Sequence, residues 1–293
     1  MSRKVLAHLK PTAYEHPSDR NALDSLERMP GIAPLLKKVN EEGIDRVLRL
    51  QCLGSAIRVS AKNFPDLHGP FQEACTLLGL FQQPDLYLLR GAGHIQTFTY
   101  GVDQPIVMIN LEGKERLSAD ELVYLFGHEL AHIKSQHLLY YQTALVLPTL
   151  KHLLSTTTFG LGGLATSGIE LALYNWLMMA KCTADRAGLL TCQSVEVALS
   201  TLLKLSGLTA DLINDVVLTE FKQQAEEFSL PSDRRLDHLA KTVSFVEHQF
   251  PWSVLRASEL LKWVESGAYD QILNDPGPSA LDPSNHWGFL TSW

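Results

Sequence analysis

The chain has 293 residues, of which 45% are hydrophobic and 19% are charged, and its formal net charge is −7. This composition is ordinary for a globular protein and excludes wholesale disorder. An acidic chain without a run of Lys and Arg is not expected to bind nucleic acid. Its four cysteines stand far apart and form no C-x-x-C pair, so we expect reduced thiols in a cytoplasmic protein.

The first half of the chain is predicted to hold a helical extension followed by a small sheet. Residues 1–44 form an N-terminal leader with an amphipathic helix near Ala22–Arg28. Short β-rich segments bounded by Pro or Gly lie at 84–91 and 105–113, a pattern typical of strands. The alternating segment HIQTFTYG, residues 94–101, is expected to join the same sheet.

The strongest predicted helix lies within residues 118–147. Ser118 is followed three residues later by Glu121, which is typical of a helix N-terminus. Apolar residues then recur at helical spacing, namely Leu122, Leu125, Phe126, Leu130 and Ile133. A second long helix is predicted at about 169–190, and the chain up to about residue 273 is predicted to be helical. The predicted fold class is therefore α+β and mainly α-helical.

One segment raises the question of membrane association, and another is predicted to be flexible. Residues 153–180 contain a single charge, Glu170, and are about long enough to cross a bilayer. The part up to Gly168 is rich in Ser, Thr and Gly, and Glu170 would lie inside the span. A loop followed by a buried helix is therefore favoured over membrane association. The tail, residues 274–293, is rich in Pro and turn-forming residues and is predicted to be flexible.

The sequence GHELAHIKSQH, residues 127–137, places His-Glu-x-x-His inside the strongest helix. His128 and His132 stand four residues apart on one helix face, so their imidazoles can converge on one zinc ion. Glu129, rotated by about 100°, can accept a proton from water and pass it to a leaving amine. His137 lies off this face and is expected to pack or face solvent. The alternative is that all these histidines only pack or face solvent.

GHELAHIKSQHLLYY, followed by a glycine-rich segment and then ADRAGLL, resembles the zinc peptidases of the HtpX and CAAX prenyl protease type. The resemblance covers roughly residues 45–273 and implies a peptidase-like domain there. It implies a zincin-like peptidase fold with a small β-sheet beside the His-Glu-x-x-His helix. It further implies one zinc ion on His128 and His132, Glu129 as general base, Asp185 bonded to a ligating histidine, and Arg256 as a retained site residue.

The resemblance also implies an edge strand that receives a peptide or protein in extended conformation through backbone hydrogen bonds. In this sequence the corresponding segment is PIVMIN. Its recognition surface would be the backbone of five residues, namely Ile106, Val107, Met108, Ile109 and Asn110.

Two positions depart from the pattern of that family. In its Glu-x-x-x-Asp motif the Glu is the third zinc ligand, whereas this chain has Lys181 there and retains Asp185. An ammonium is repelled by a cation, and it has no lone pair unless its pKa is strongly lowered. Relatives usually carry His-Pro ahead of the arginine, whereas this chain has Phe250-Pro251.

Two functions therefore remain open. The first is a zinc metalloendopeptidase in which Asp185 orients a histidine or serves as a substitute third ligand. The second is a catalytically impaired pseudo-peptidase that binds a peptide or partner protein without cutting it. Lys181 decides between them: it either enters the site or forms an exposed pair with Asp185 one helical turn away.

Overall fold

The computed structural model describes residues 3–41, 43–155, 166–228 and 252–275. The helices in chain order are α1 (Pro17–Glu27), α2 (Ile32–Glu41), α3 (Ile44–Ser55), α4 (Pro65–Leu77), α5 (Leu111–Arg116), α6 (Ala119–Lys134), α7 (Leu138–Ser155), α8 (Thr166–Cys192), α9 (Val195–Leu205), α10 (Asp215–Phe228), α11 (Ser253–Glu265) and α12 (Ala268–Asn274). The strands are β1 (Ile57–Arg58), β2 (Asp85–Leu89), β3 (Thr97–Tyr100) and β4 (Ile106–Asn110). Short 3₁₀ turns lie at Pro11–Ala13 and Ala210–Leu212. The predicted class, α+β and mainly helical, is confirmed.

The four strands form one sheet in the order β1-β2-β4-β3. β2 and β4 run parallel, whereas β1 and β3 run antiparallel to their neighbours. The prediction that Ile106–Asn110 is the edge strand is wrong, because β4 pairs with β2 on one side and β3 on the other. All five of its residues, Ile106, Val107, Met108, Ile109 and Asn110, are buried. In the described part of the chain the edge strand that packs against α6 is β3.

Helix α6 begins where the sequence predicts. The Ser118 hydroxyl accepts a hydrogen bond from the Glu121 amide at 3.3 Å, and the Glu121 carboxylate accepts one from the Ser118 amide at 2.7 Å. This reciprocal capping box satisfies two backbone donors that the first turn leaves unpaired. The predicted helix is not continuous, however. It breaks at Gln136, whose φ of +58° ends α6 before α7 begins.

The Glu121 carboxylate also ties the start of α6 to α9. It accepts hydrogen bonds from the Lys204 ammonium at 2.7 Å and from the Ser200 hydroxyl at 2.8 Å. Burial alone would raise the pKa of Glu121, but Lys204 and the Ser118 amide outweigh it and hold that pKa below its ordinary value. The carboxylate thus stabilises the fold in its ionised form.

We therefore expect Glu121→Gln to lower the free energy of unfolding by about 2–3 kcal/mol near pH 7, because it leaves the Lys204 ammonium without its counter-charge. A lowered folded-state pKa contributes stability above the unfolded-state pKa and loses it as the pH falls. The deficit should therefore shrink below about pH 4.3. Urea unfolding of both proteins from pH 3 to 8 measures it, with the exposed Glu115→Gln as control. A deficit independent of pH would contradict the ionic origin.

Helices α6 and α8 approach closely at two glycines. A Cβ added to Gly127 would lie 2.0 Å from the Thr191 hydroxyl oxygen, and one added to Gly188 would lie 2.9 Å from the Tyr124 carbonyl oxygen. Real Cβ atoms do not come this close to other atoms, so glycine is what permits the contact. The close crossing brings Asp185 of α8 opposite His128 of α6.

The predicted N-terminal leader packs into the same body as the rest of the described chain. Tyr14 and Leu26 are fully buried, and the Tyr14 hydroxyl lies 3.0 Å from the Ser135 hydroxyl at the end of α6. Helix α1 packs along α8. The domain boundary predicted at residue 44 stays a prediction.

All four cysteines are buried, unpaired thiols. No helix in the described ranges combines the length and apolar character that a bilayer span requires. The predicted flexible tail lies outside the described residues except at its first two positions, and Phe250 lies outside them as well.

Candidate active site

His128 and His132 stand on the face of α6 that is turned into the protein. Their exposed fractions are 4% and 0%. The two ring centroids lie 5.3 Å apart, and the ring planes meet at 80°. The spacing of four residues therefore gives two neighbouring buried imidazoles, as helix geometry requires.

Asp185 of α8 holds His128 in place. Its Oδ1 lies 2.8 Å from His128 Nδ1 and accepts a hydrogen bond from the Tyr124 hydroxyl at 2.9 Å. The Arg256 guanidinium of α11 donates to both carboxylate oxygens, through Nε at 2.7 Å and through Nη2. Burial alone would raise the pKa of Asp185, but Arg256 outweighs it and holds that pKa well below its usual range.

Both oxygens of the Asp185 carboxylate are engaged by groups of the protein. Oδ2 accepts from Arg256, and Oδ1 is shared by Arg256, Tyr124 and His128. Asp185 and Arg256 thus form a buried ion pair against Nδ1 of His128. The use of Asp185 as a substitute third ligand stays a prediction.

His132 differs from His128 in having an unpartnered nitrogen. Its Nδ1 lies 3.1 Å from Nδ1 of His137, whereas its Nε2 is buried and has no hydrogen-bond partner among the described residues. The Tyr141 ring lies 4.9 Å away between centroids. Burial, followed by the charges of His128 and His137, lowers the pKa of His132 well below its ordinary value, so the ring is neutral at pH 7.

Glu129 lies between the histidines and the edge strand β3. Its Oε1 accepts a hydrogen bond from the Thr97 hydroxyl and its Oε2 one from the Thr99 hydroxyl, each at 2.6 Å. Glu129 is 2% exposed. A carboxylate has about four lone-pair positions, so two threonines fix its plane and leave room to accept a further proton.

Lys181 lies on α8 one turn before Asp185 and is half-buried. Burial and the charge of Arg256 lower the pKa of Lys181 to about 8, against the opposing charges of Glu129 and Asp185. Lys181 is therefore not a fully exposed surface residue, and the charge of Glu129, on α6, acts on it. With a pKa of about 8 it keeps its proton at pH 7.

The site offers two nitrogen ligands for one zinc ion. The unpartnered Nε2 of His132, and the Nε2 of His128, whose Nδ1 meets Asp185, are the nitrogens that a metal would take. A catalytic zinc commonly has three protein ligands and one open position. Within the described ranges, no three side chains of His, Cys, Asp or Glu come together to hold a metal. The chain thus offers two histidine ligands, with Lys181 at the sequence position where the resemblance expects the third.

Several site residues were not predicted from the sequence. Thr97 and Thr99 are two residues apart on a predicted strand, so the sequence predicts that they share one face. It does not predict that both bind Glu129. Tyr124 stands one helical turn before His128, a spacing that signals a shared face. His137 is predicted to pack or face solvent, and it is buried and packs against the His132 and Trp176 rings. Its contact with Nδ1 of His132 is not predicted from the sequence.

A His-Glu-x-x-His helix backed by a buried carboxylate and flanked by an edge strand is a metallopeptidase type of site. Residues 61–264 match the model of peptidase family M48. The chain therefore belongs to this family, whose members are zinc-dependent metallopeptidases.

The chain is also similar to a characterised relative, the plastoglobule-localized metallopeptidase 48, chloroplastic, of Arabidopsis thaliana. The two are 28% identical over 261 residues, which cover 89% of this chain and 74% of the relative. No solved structure matches the chain. The cytoplasmic location predicted for this chain stays a prediction.

Proposed function

We propose that the protein is a metal-dependent endopeptidase that cleaves polypeptides bound in extended conformation. The observation that carries this proposal is the buried, unpartnered Nε2 of His132 beside Glu129. An unsatisfied buried polar atom costs about 1–3 kcal/mol, and a bound cation removes that cost. Membership of family M48 supports the same activity.

His128 and His132 would hold the ion through their Nε2 atoms. A zinc ion held there would supply Lewis acidity toward the scissile carbonyl and a nucleophilic water at neutral pH. Glu129 accepts the proton of the attacking water on a carboxylate oxygen and then passes it to the leaving amine. The two threonine hydroxyls keep this carboxylate aimed during both transfers.

The substrate surface we propose is the outer edge of β3. The Asn110 amide donates to the Gln96 carbonyl at 3.1 Å, so Gln96 faces β4. Backbone direction alternates along an antiparallel strand, so Thr97 and Thr99 both turn their amides and carbonyls away from β4. Thr99 is fully buried, so the amide and carbonyl of the half-buried Thr97 are the groups open to a partner. A segment pairing with them would run past Glu129. Recognition through the backbone accepts many side chains.

Amide hydrogen exchange tests this surface. We expect an unstructured decapeptide, added to the Glu129→Gln protein so that it is not cut, to slow exchange at the Thr97 amide at least tenfold. The amides of Phe98 and of β4 serve as internal controls, because they already face a neighbouring strand. Protection confined to α10 and α11 would overturn the proposed surface.

Lys181 favours a second candidate, a pseudo-peptidase that binds an extended segment without cutting it. Its ammonium brings one positive charge to the place where the ion would bring two, beside Glu129 and Asp185. It would thereby stand in for the metal and keep the histidine helix in place. The β3 surface would then bind peptides, and no hydrolysis would follow.

A further inference from the structure

The N-terminal segment contributes a buried carboxylate to the histidine cluster. Asp19 of α1 is 1% exposed, and its Oδ2 lies 3.3 Å from Nε2 of His137. The same oxygen accepts a hydrogen bond from the Thr183 hydroxyl at 2.6 Å. That hydroxyl in turn accepts one from the His16 amide at 3.0 Å, so its own hydrogen is directed at Asp19. Asp19 lies before residues 61–264, which match the family.

The hydrogen-bonding capacity of each group determines which nitrogen atoms of His137 and His132 carry a proton. An ionised carboxylate only accepts hydrogen bonds, so the nitrogen of His137 that faces it, Nε2, carries the proton. In the neutral form of His137 the other nitrogen, Nδ1, is then an acceptor. Nδ1 of His132, 3.1 Å away, is therefore the donor.

The result is that Nε2 of His132 carries a lone pair. The opposite order would place the lone pair of His137 Nε2 against the carboxylate of Asp19, which sets two acceptors face to face. It would also place a buried N–H of His132 where no acceptor among the described residues meets it. Both features raise the free energy of that alternative placement of protons.

We propose that Asp19 is a positioning residue that acts through His137 to fix His132 in its Nδ1-protonated tautomer. The inference rests on the proposed function in one respect, namely that His132 is a metal ligand. Asp185 does the same for His128 by direct contact. Each metal-binding histidine is thus oriented by its own carboxylate, and one of the two carboxylates comes from outside the family-matched region.

The test is the tautomer of His132, measured by NMR on metal-free protein labelled with ¹⁵N-histidine at pH 7.5. We expect the native protein to show His132 protonated at Nδ1 only. Asp19→Asn keeps the shape but offers both a donor and an acceptor to His137. In that variant we expect a mixture of tautomers and a 10–100-fold weaker zinc affinity.

Asp24→Asn, on the same helix and half-exposed, is the matched control and should change neither value. A purely structural role for Asp19 would lower thermal stability and leave the tautomer as in the native protein, which would overturn the inference. Native His132 protonated at Nε2 would overturn it without any variant. If the tautomers are as expected but the protein has no peptidase activity, only the proposed function is contradicted.

Discussion

Lys181→Glu is expected to raise zinc affinity at least 100-fold, or about 2.7 kcal/mol. The change removes an ammonium that a divalent ion repels and places a carboxylate one turn before Asp185, in reach of the same site. In the native chain zinc must displace the lysine or take its proton, and with a pKa of about 8 the lysine is charged at pH 7. Zinc titration calorimetry of the native and variant proteins measures the difference.

Two further variants separate the causes. Lys181→Gln removes the charge without adding an anionic ligand, so its affinity should lie between those of the native protein and Lys181→Glu. His128→Ala in the Lys181→Glu protein should abolish the gain. If the native protein already holds one equivalent of zinc at sub-micromolar affinity through His128, Lys181 does not replace the ion and the second candidate function fails.

Glu129→Gln is expected to reduce peptide hydrolysis by about 10²–10⁴-fold, the usual contribution of a positioned general base. The amide has nearly the same shape and still accepts a hydrogen bond from one threonine, but it cannot take a proton from water at neutral pH. Hydrolysis of a fluorogenic peptide library by zinc-loaded protein measures the loss. If the native chain binds zinc weakly, the same comparison is made with Glu129→Gln introduced into the Lys181→Glu protein.

Zinc affinity should be unchanged in Glu129→Gln, because Glu129 is not among the expected ligands. This separates a proton-transfer role from a metal-binding one. The exposed Glu115→Gln is the control for general effects of removing a carboxylate. Equal hydrolysis by the native and Glu129→Gln proteins would show that the observed cleavage does not come from this site.

The local parts of the site could be predicted from the sequence. The apolar periodicity and the Ser118–Glu121 pair place α6, and the spacing of four places His128 and His132 on one face. These are interactions between near neighbours, whose geometry is set by the helix itself. The position of Asp185 required more, because only the resemblance to known peptidases connected α8 with α6.

The non-local parts could not be predicted in the same way. The order of strands depends on which chain segments pair across the sheet, and short apolar strands carry little register information. The sequence of β4 therefore does not distinguish an edge strand from an interior one. The break at Gln136 depends on a left-handed backbone conformation that cannot be predicted from the sequence. The break turns His137 back toward His132. Asp19 meets His137 only through the packing of α1 on α8.

The position of the first 27 residues matters for anyone who prepares this protein. A fragment trimmed to the family-matched limits, residues 61–264, would lose Tyr14 and Leu26 from the core and would bare the apolar surface of α8 that they cover. Exposed apolar patches of this kind promote aggregation. Such a fragment would also lack the carboxylate behind His137. Poor yield or missing metal in a trimmed preparation would then reflect the trimming, and protein that keeps residues 3–60 is the proper material for recombinant work.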